Sequence, residues 1–252
     1  MNTLEFTRFR ELEYAAQEAI NTLCTNLTFA GEDKRVIMVT SSHAHEGKSF
    51  VTLNIMRTLA GLGHQVVLLD MDLRRSQLLS RYRVNVESDT KYGMSHYLAG
   101  MCEVDDTIYS TNIRNASVIP VGREVSNSLA LLSNSRLDAM IRELRDKFEF
   151  VLVDAPPVGL IVDAAEISKH VDGVLLVVKY NEVSRRELAE AKLQLERAGA
   201  NILGAVLNDV SFDSLSSKRY YNKGYYSSYE SASAAAEKKS ASGKLKAKLF
   251  GK

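Results

Sequence analysis

The sequence predicts an α/β fold: one doubly wound domain whose mostly parallel sheet carries helices on both faces. Two observations predict it. Strand-length apolar runs at 36–39, 66–69, 150–153, 173–178 and 202–207 show no polar alternation, and stretches of helical periodicity separate them. Strands that are apolar throughout belong to sheets buried on both faces, and strand–helix alternation yields parallel pairing through right-handed crossovers. A chain of 252 residues is long enough for one such domain, or at most two small ones.

The elements follow in order. Residues 11–27 place Leu12, Ala16, Ala19 or Ile20, Leu23 and Leu27 on one side, an amphipathic helix. Residues 36–39 read as a buried strand that runs into a loop at Thr40-Ser41-Ser42. Helical spacing over 50–62 stops near Gly61 and Gly63, and 66–69 form a second strand. Residues 82–134 are less regular, with short helical pieces and one expected strand at 118–121. A helix over 135–147 leads to the strand at 150–153. A helix near 163–169, a strand at 173–178, a helix over 185–198 and a strand at 202–207 complete the pattern.

After residue 212 the character changes. Ser, Lys, Tyr and Ala dominate, with almost no branched aliphatic residue before Leu245, so this stretch is expected to be mobile. The chain is expected to divide into an N-terminal interaction-helix region, 1–33, the α/β domain, 34–212, and a tyrosine-rich basic tail, 213–252.

Hydrophobic residues make up 45% and charged residues 25%, the values of an ordinary soluble protein. The net charge of +1 gives no support for nucleic-acid binding. It is unevenly spread: residues 213–252 carry nine Lys and Arg against Asp213, Glu230 and Glu237, so the tail is basic and the body mildly acidic. Cys24 and Cys102 are too few for a disulfide framework and read as reduced thiols. No apolar run approaches the ~20 residues of a membrane span. A cytoplasmic location is expected. The basic end, 244–252, with Leu245, Leu249 and Phe250 interspersed, reads as a solvated charged terminus or as a contact for an anionic membrane surface.

Gly47-Lys48-Ser49 stands between a strand and a helix. This is where backbone N–H groups and the helix dipole favour an anion. It matches a P-loop, GxxxxGK[ST], except that Ser42 occupies the first glycine position. The loop residues Ser42, His43, Ala44, His45, Glu46, Gly47, Lys48, Ser49 and Phe50 are the expected nucleotide-binding segment. Lys48 would reach the β/γ-phosphates, and the Ser49 hydroxyl would ligate Mg²⁺. Two further strands end in Asp70-Met71-Asp72 and in Asp154. Ligands of an open parallel sheet bind beyond the carboxyl ends of its strands. Ser49, Asp70, Asp72 and Asp154 are therefore candidate groups for the Mg²⁺ of bound ATP, with several waters retained. The plainer reading makes the aspartates helix caps or solvated turn residues. His43 and His45 read as loop side chains rather than a metal pair.

The segment Val67-Leu68-Leu69-Asp70-Met71-Asp72-Leu73-Arg74-Arg75 resembles the second Walker motif of bacterial tyrosine kinases of the cytoplasmic capsule and exopolysaccharide type. Phe150-Val151-Leu152-Val153-Asp154-Ala155-Pro156-Pro157 resembles their Walker B motif. The resemblance runs from about residue 18 to 229. Tyr220, Tyr221, Tyr225, Tyr226 and Tyr229 put five of the eleven tyrosines into ten residues. The resemblance implies a P-loop NTPase sheet of the MinD/ParA kind and autophosphorylation of this cluster between neighbouring subunits. It further implies a transmembrane activator of the polysaccharide co-polymerase type that recruits the chain to the inner membrane face, and a cognate tyrosine phosphatase. Lys48, Asp70, Asp72 and Asp154 are the catalytic group it implies, with Asp72 or Asp70 as the base. Arg74 and Arg75 read as stabilisers of transferred charge, as subunit contacts, or as surface ion pairs.

The chain departs from the family at several places. Ala44-His45 stands where Pro-Gly is usual, and glycine there would permit positive φ. Asn21 and Cys24 replace the two arginines of the ring-assembly pattern ExxRxxR that begins at Glu18, which removes the salt bridges a ring would use. Residues 122–128 replace a proline-rich stretch. Three readings follow: a tyrosine autokinase regulating polysaccharide synthesis or export, a weakly or non-catalytic nucleotide-gated regulator, and a ParA/MinD-type positioning ATPase.

Overall fold

The computed structural model describes residues 2–9, 11–31, 33–87, 92–159 and 162–210. The tyrosine cluster and the basic tail end lie outside them. One compact unit spans Met1–Asn208; a second begins at Asp209, whose backbone has a positive φ of 58°.

The strands are β1 (Thr3–Phe6), β2 (Val36–Ser41), β3 (Val66–Asp70), β4 (Val84–Glu87), β5 (Tyr109–Thr111), β6 (Ala116–Ile119), β7 (Phe150–Asp154), β8 (Gly173–Lys179) and β9 (Ile202–Asn208). The main helices are α1 (Tyr14–Phe29) and α2 (Lys48–Gly61). Short ones follow: α3 (Leu78–Arg81), α4 (Met94–Leu98), α5 (Val104–Thr107) and α6 (Ser128–Leu132). Then come α7 (Ser135–Lys147), α8 (Val162–Ile167) and α9 (Arg185–Arg197).

The nine strands among the described residues form a single sheet in the order β4-β1-β5-β6-β3-β7-β2-β8-β9. From β6 to β9 every pairing is parallel, as the apolar runs predict. β5 is antiparallel to β6, and β1 pairs parallel with β5 and antiparallel with β4. Side chains of the central strands divide between two cores with period two. Val36, Met38, Val67, Leu69, Val151 and Val153 face α4 to α9, while Ile37, Val39, Val66, Leu68 and Leu152 face α1 and α2. Both faces of the sheet are thus covered.

Three strands went unseen in the sequence: β1, β4 and β5, each of three or four residues on the outer half of the sheet. The strand expected at 118–121 instead occupies β6, ending at Ile119. Pro120 has no N–H for the ladder, and the carbonyls of Pro120 and Val121 accept from Met94 and Ser95 at the start of α4 (2.8 and 3.0 Å). α1 begins at Tyr14 rather than at residue 11; its buried side is Ile20, Cys24 and Leu27, and Leu23 on the helix and Leu12 before it pack partly against the same core. Cys24 is fully buried against α2, its Sγ 3.8 Å from the Ile55 carbonyl, so position 24 points into the core.

No helix among the described residues is long and apolar enough to cross a membrane.

Candidate functional site

The crossover from β2 to β3 passes over β7, so the carboxyl ends of β2, β7 and β3 meet at one edge of the sheet. A cavity of about 350 Å³ opens there, lined by Ala44, His45, Gly47, Lys48, Ser49, Asp70, Asp72 and Asp154. Arg74, Arg75, Gln77, Arg81 and Pro157 complete its wall.

The loop from Ser42 to Gly47 is held from several sides. The Ser41 hydroxyl donates to the His43 carbonyl (2.6 Å), and Val158 and Gly159 donate to the carbonyls of Ser41 and Ser42 (2.8 and 3.2 Å). Glu46 is buried. Its carboxylate accepts from the His43 N–H and from the Lys179 N–H at the end of β8 (3.2 Å), and its carbonyl accepts from Asn208 Nδ2 (2.9 Å). His45 takes a left-handed φ of 68° and Gly47 one of 92°. The geometry that glycine would give cheaply at position 45 is therefore adopted by a histidine.

Gly47 caps α2 without any side-chain capping bond, which leaves the first-turn N–H groups of that helix available to an anion. A β-carbon at Gly47 would stand 2.1 Å from Asn208 Nδ2. Gly47→Ala must therefore strain the backbone by about 1–3 kcal/mol and break the Asn208–Glu46 tie. Its ATP affinity, read by calorimetry, is expected to fall about tenfold or more; unchanged affinity would show that the loop relaxes freely.

Lys48 Nζ lies 3.8 Å from Asp72 Oδ2, both side chains mostly shielded. Asp70 is buried. Its carboxylate accepts from the Ser76 hydroxyl and from the Asp72 N–H (3.3 Å). Burial, reinforced by the charge of Asp154, pushes the Asp70 carboxyl up to about 7, against the pull of those two bonds. Burial also raises Asp154, while Lys48, a hydrogen bond from Ser49 and Arg81 hold it back. Asp154 Oδ1 is buried with no hydrogen-bond partner. A buried, unpartnered carboxylate oxygen at the head of the cavity is the feature a hard cation would satisfy.

Among the described residues no group of three or more His, Cys, Asp and Glu side chains could hold a metal ion alone. Mg²⁺ takes few protein ligands and fills its shell with water and phosphate oxygens. Asp154, Asp70 and Ser49 are the groups present that would hold it.

Not all expected loop residues reach the cavity. Ser42 is buried with its hydroxyl unpartnered, Glu46 serves as the internal clamp, and Phe50 packs partly against the α1/α2 core. His43 turns away to Glu187 at the start of α9 (3.1 Å). Arg74 is bound to the carboxylate of Asp163 on α8, through Nε (2.9 Å) and Nη2 (3.3 Å), and to the Ser128 hydroxyl (2.8 Å), so of the three readings of Arg74 it takes the ion pair. Sequence reasoning did not find Arg81, Gln77, Asn208 or Asp163. Asn208 and Asp163 are remote in sequence from the motifs they serve, Gln77 and Arg81 follow shortly after Arg75, and none carries a spacing signal.

Residues 34–200 match the family model described as an AAA domain. The chain is similar to the tyrosine-protein kinase CpsD of Streptococcus pneumoniae, 36% identical over 233 residues that cover 91% of this chain and 99% of that one. Among solved structures it is similar to the kinase domain of the Escherichia coli tyrosine kinase ETK, with a TM-score of 0.73 and 29% identity, covering 81% of this chain and 82% of that one. It is also similar to the septum site-determining protein MinD of Pyrococcus horikoshii, solved with Mg-ADP. There the TM-score is 0.58 and the identity 26%, over 69% of each chain.

Proposed function

This chain belongs to the bacterial tyrosine-protein kinase family, built on a P-loop ATPase sheet, and we propose that it phosphorylates the tyrosines of its own tail to regulate capsular or exopolysaccharide synthesis or export. The chain is a tyrosine-protein kinase. The observation that carries the reading is the convergence of Lys48, Asp70, Asp72 and Asp154 on one cavity at the ends of β2, β3 and β7.

Phosphoryl transfer asks a protein mainly for positioning and charge neutralisation. The first-turn N–H groups of α2 and Lys48 bind the phosphates. Asp154, Asp70 and Ser49 would hold Mg²⁺, which would supply further neutralisation when ATP is bound. Asp72 is the better-placed base for the tyrosine proton, because its side chain is the more exposed of the two in the cavity, whereas each Asp70 oxygen already accepts a hydrogen bond, from Ser76 or from the Asp72 N–H. Tyr220, Tyr221, Tyr225, Tyr226 and Tyr229 are the acceptors of this proposal. Transfer between neighbouring subunits, activation by a transmembrane partner at the inner membrane face, and reversal by a tyrosine phosphatase complete it. The buried position of Cys24 means that any subunit contact through α1 uses other residues.

Incubating the protein with ATP and Mg²⁺, alone and with the membrane partner, and mapping phosphate by mass spectrometry tests the reading. Label on the tail tyrosines is expected, and none with Lys48→Ala. A wild-type chain that carries no phosphotyrosine under either condition would sink it. A second reading, a nucleotide-gated regulator with little transfer, is favoured by one observation, the positive φ of His45 in the phosphate loop. It predicts ATP-dependent partner binding without tyrosine label.

A further inference from the structure

The cavity wall carries cations besides Lys48 and Arg74. Arg75 and Arg81 both line it, both are exposed, and neither side chain has an ion-pair partner among the described residues. The other cations nearby are committed: Lys48 to Asp72, Arg74 to Asp163 and Ser128, and His43 to Glu187.

Arg81 is fixed from behind. It is the last residue of α3, its N–H bonded to the Gln77 carbonyl (2.9 Å), between buried Leu78 and buried Tyr82. The Tyr82 ring is packed by Phe6 of β1 (6.3 Å) and by Phe9 (6.5 Å). This hold on the backbone fixes the point on the cavity wall from which the side chain extends. Arg81 lines the same cavity as Lys48 and the buried Asp154. An unpaired guanidinium beside a phosphate-binding loop is a donor fork without its anion.

We propose that Arg81 is a catalytic residue of the phosphoryl transfer, its guanidinium hydrogen-bonded to the γ-phosphoryl oxygens as that group moves. In the step, the tyrosine oxygen bonds to the γ-phosphorus while the bond from that phosphorus to the β,γ-bridging oxygen breaks. ADP leaves with the bonding pair, and the phenol proton passes to Asp72. Charge spreads onto the three equatorial oxygens, which a guanidinium supplied by the same chain meets. The identity of the acceptor rests on the kinase reading; the phosphate contact does not.

The test uses the full chain with Arg81→Ala and Arg81→Lys. Three quantities are measured: ATP·Mg²⁺ affinity, the rate of tyrosine labelling, and the tightening of ADP·Mg²⁺ binding by aluminium fluoride, which mimics the group in flight. For Arg81→Ala the rate is expected to fall about 10²–10³-fold, while ATP affinity changes by less than about threefold. The fluoride-induced tightening is lost as well, and Arg81→Lys recovers part of both losses. An Arg81→Ala chain that keeps the wild-type rate and fluoride response overturns the proposal. So does one that loses ATP affinity and melting temperature together, because that marks a structural role. A wild type without tyrosine label whose fluoride response still depends on Arg81 would remove the kinase reading and leave this one standing.

Discussion

Asp70→Asn is expected to stabilise the nucleotide-free protein while abolishing phosphoryl transfer. Asp70 is 1% exposed, and its carboxyl is displaced from 3.8 to about 7, chiefly by burial. The native state therefore binds a proton between about pH 4 and 7 that the unfolded chain releases, and wild-type stability falls as pH rises through that window. Above pH 7 the whole penalty is present. Three pH units correspond to about 4 kcal/mol. Asparagine is isosteric: its Oδ1 still accepts the Asp72 N–H and its amide can donate to the Ser76 hydroxyl. Urea denaturation should show Asp70→Asn more stable than wild type by about 2–4 kcal/mol at pH 8, with the gain shrinking towards pH 4. Transfer to tyrosine should drop at least about 10³-fold, because a group proposed to hold Mg²⁺ has lost its charge. Equal stability of the two proteins at pH 8 would show that Asp70 carries no burial penalty. Retained transfer would remove it from the metal site.

Stability and chemistry pull against each other at this residue, and that opposition is what a strand-end aspartate in a catalytic edge looks like physically. It also explains which parts of the molecule the sequence makes legible. The central strands β2, β3, β7 and β8 are apolar at nearly every position because both faces are buried, so each is visible as a run. The residues that follow each run, Lys48, Asp70 and Asp154, are placed by topology alone once the runs are accepted as parallel. Helix α7 is equally legible, since Asn134 caps it by accepting from the Arg136 N–H (3.1 Å) and Lys147 ends it.

The outer strands are not legible. Thr3–Phe6 and Val84–Glu87 hold two alternations each, too few to distinguish from chance, and they pair across some 80 residues of sequence. The same distance hides the groups that finish the site. Glu46 sits in the motif and reads as a phosphate contact, yet the loop needs its carboxylate internally, to take the N–H groups of His43 and Lys179. Arg74 sits beside Asp72, and the sequence leaves open whether it meets transferred charge, a subunit or an ion-pair partner; that partner lies 89 residues on.

That partner carries the second large expectation. Asp163→Ala is expected to destabilise the protein by about 2–4 kcal/mol and to weaken ATP·Mg²⁺ binding, although Asp163 does not line the cavity. Asp163 is 2% exposed, accepts twice from Arg74, and also accepts from the buried Ser128 hydroxyl at the start of α6. Removing it leaves a buried hydroxyl without its acceptor and a guanidinium without its counter-ion. Arg74 is partly exposed and can rehydrate, which keeps the cost below that of a fully buried pair broken on one side. The functional effect follows from the loop. Leu73 and Arg74 tie the segment after Asp72 to its surroundings, Leu73 through its carbonyl to the Val125 N–H (2.9 Å), Arg74 through α6 and α8. With the Arg74 anchor gone, Asp72, which is paired with Lys48, and Arg75 lose a fixed position, so KM for ATP is expected to rise and kcat to fall. A melting temperature lowered by about 4–12 °C, with Asp163→Asn falling between alanine and wild type, is the expected series. A loss below about 0.5 kcal/mol for Asp163→Ala, with KM unchanged, would show that the Arg74 anchor does not position the catalytic loop.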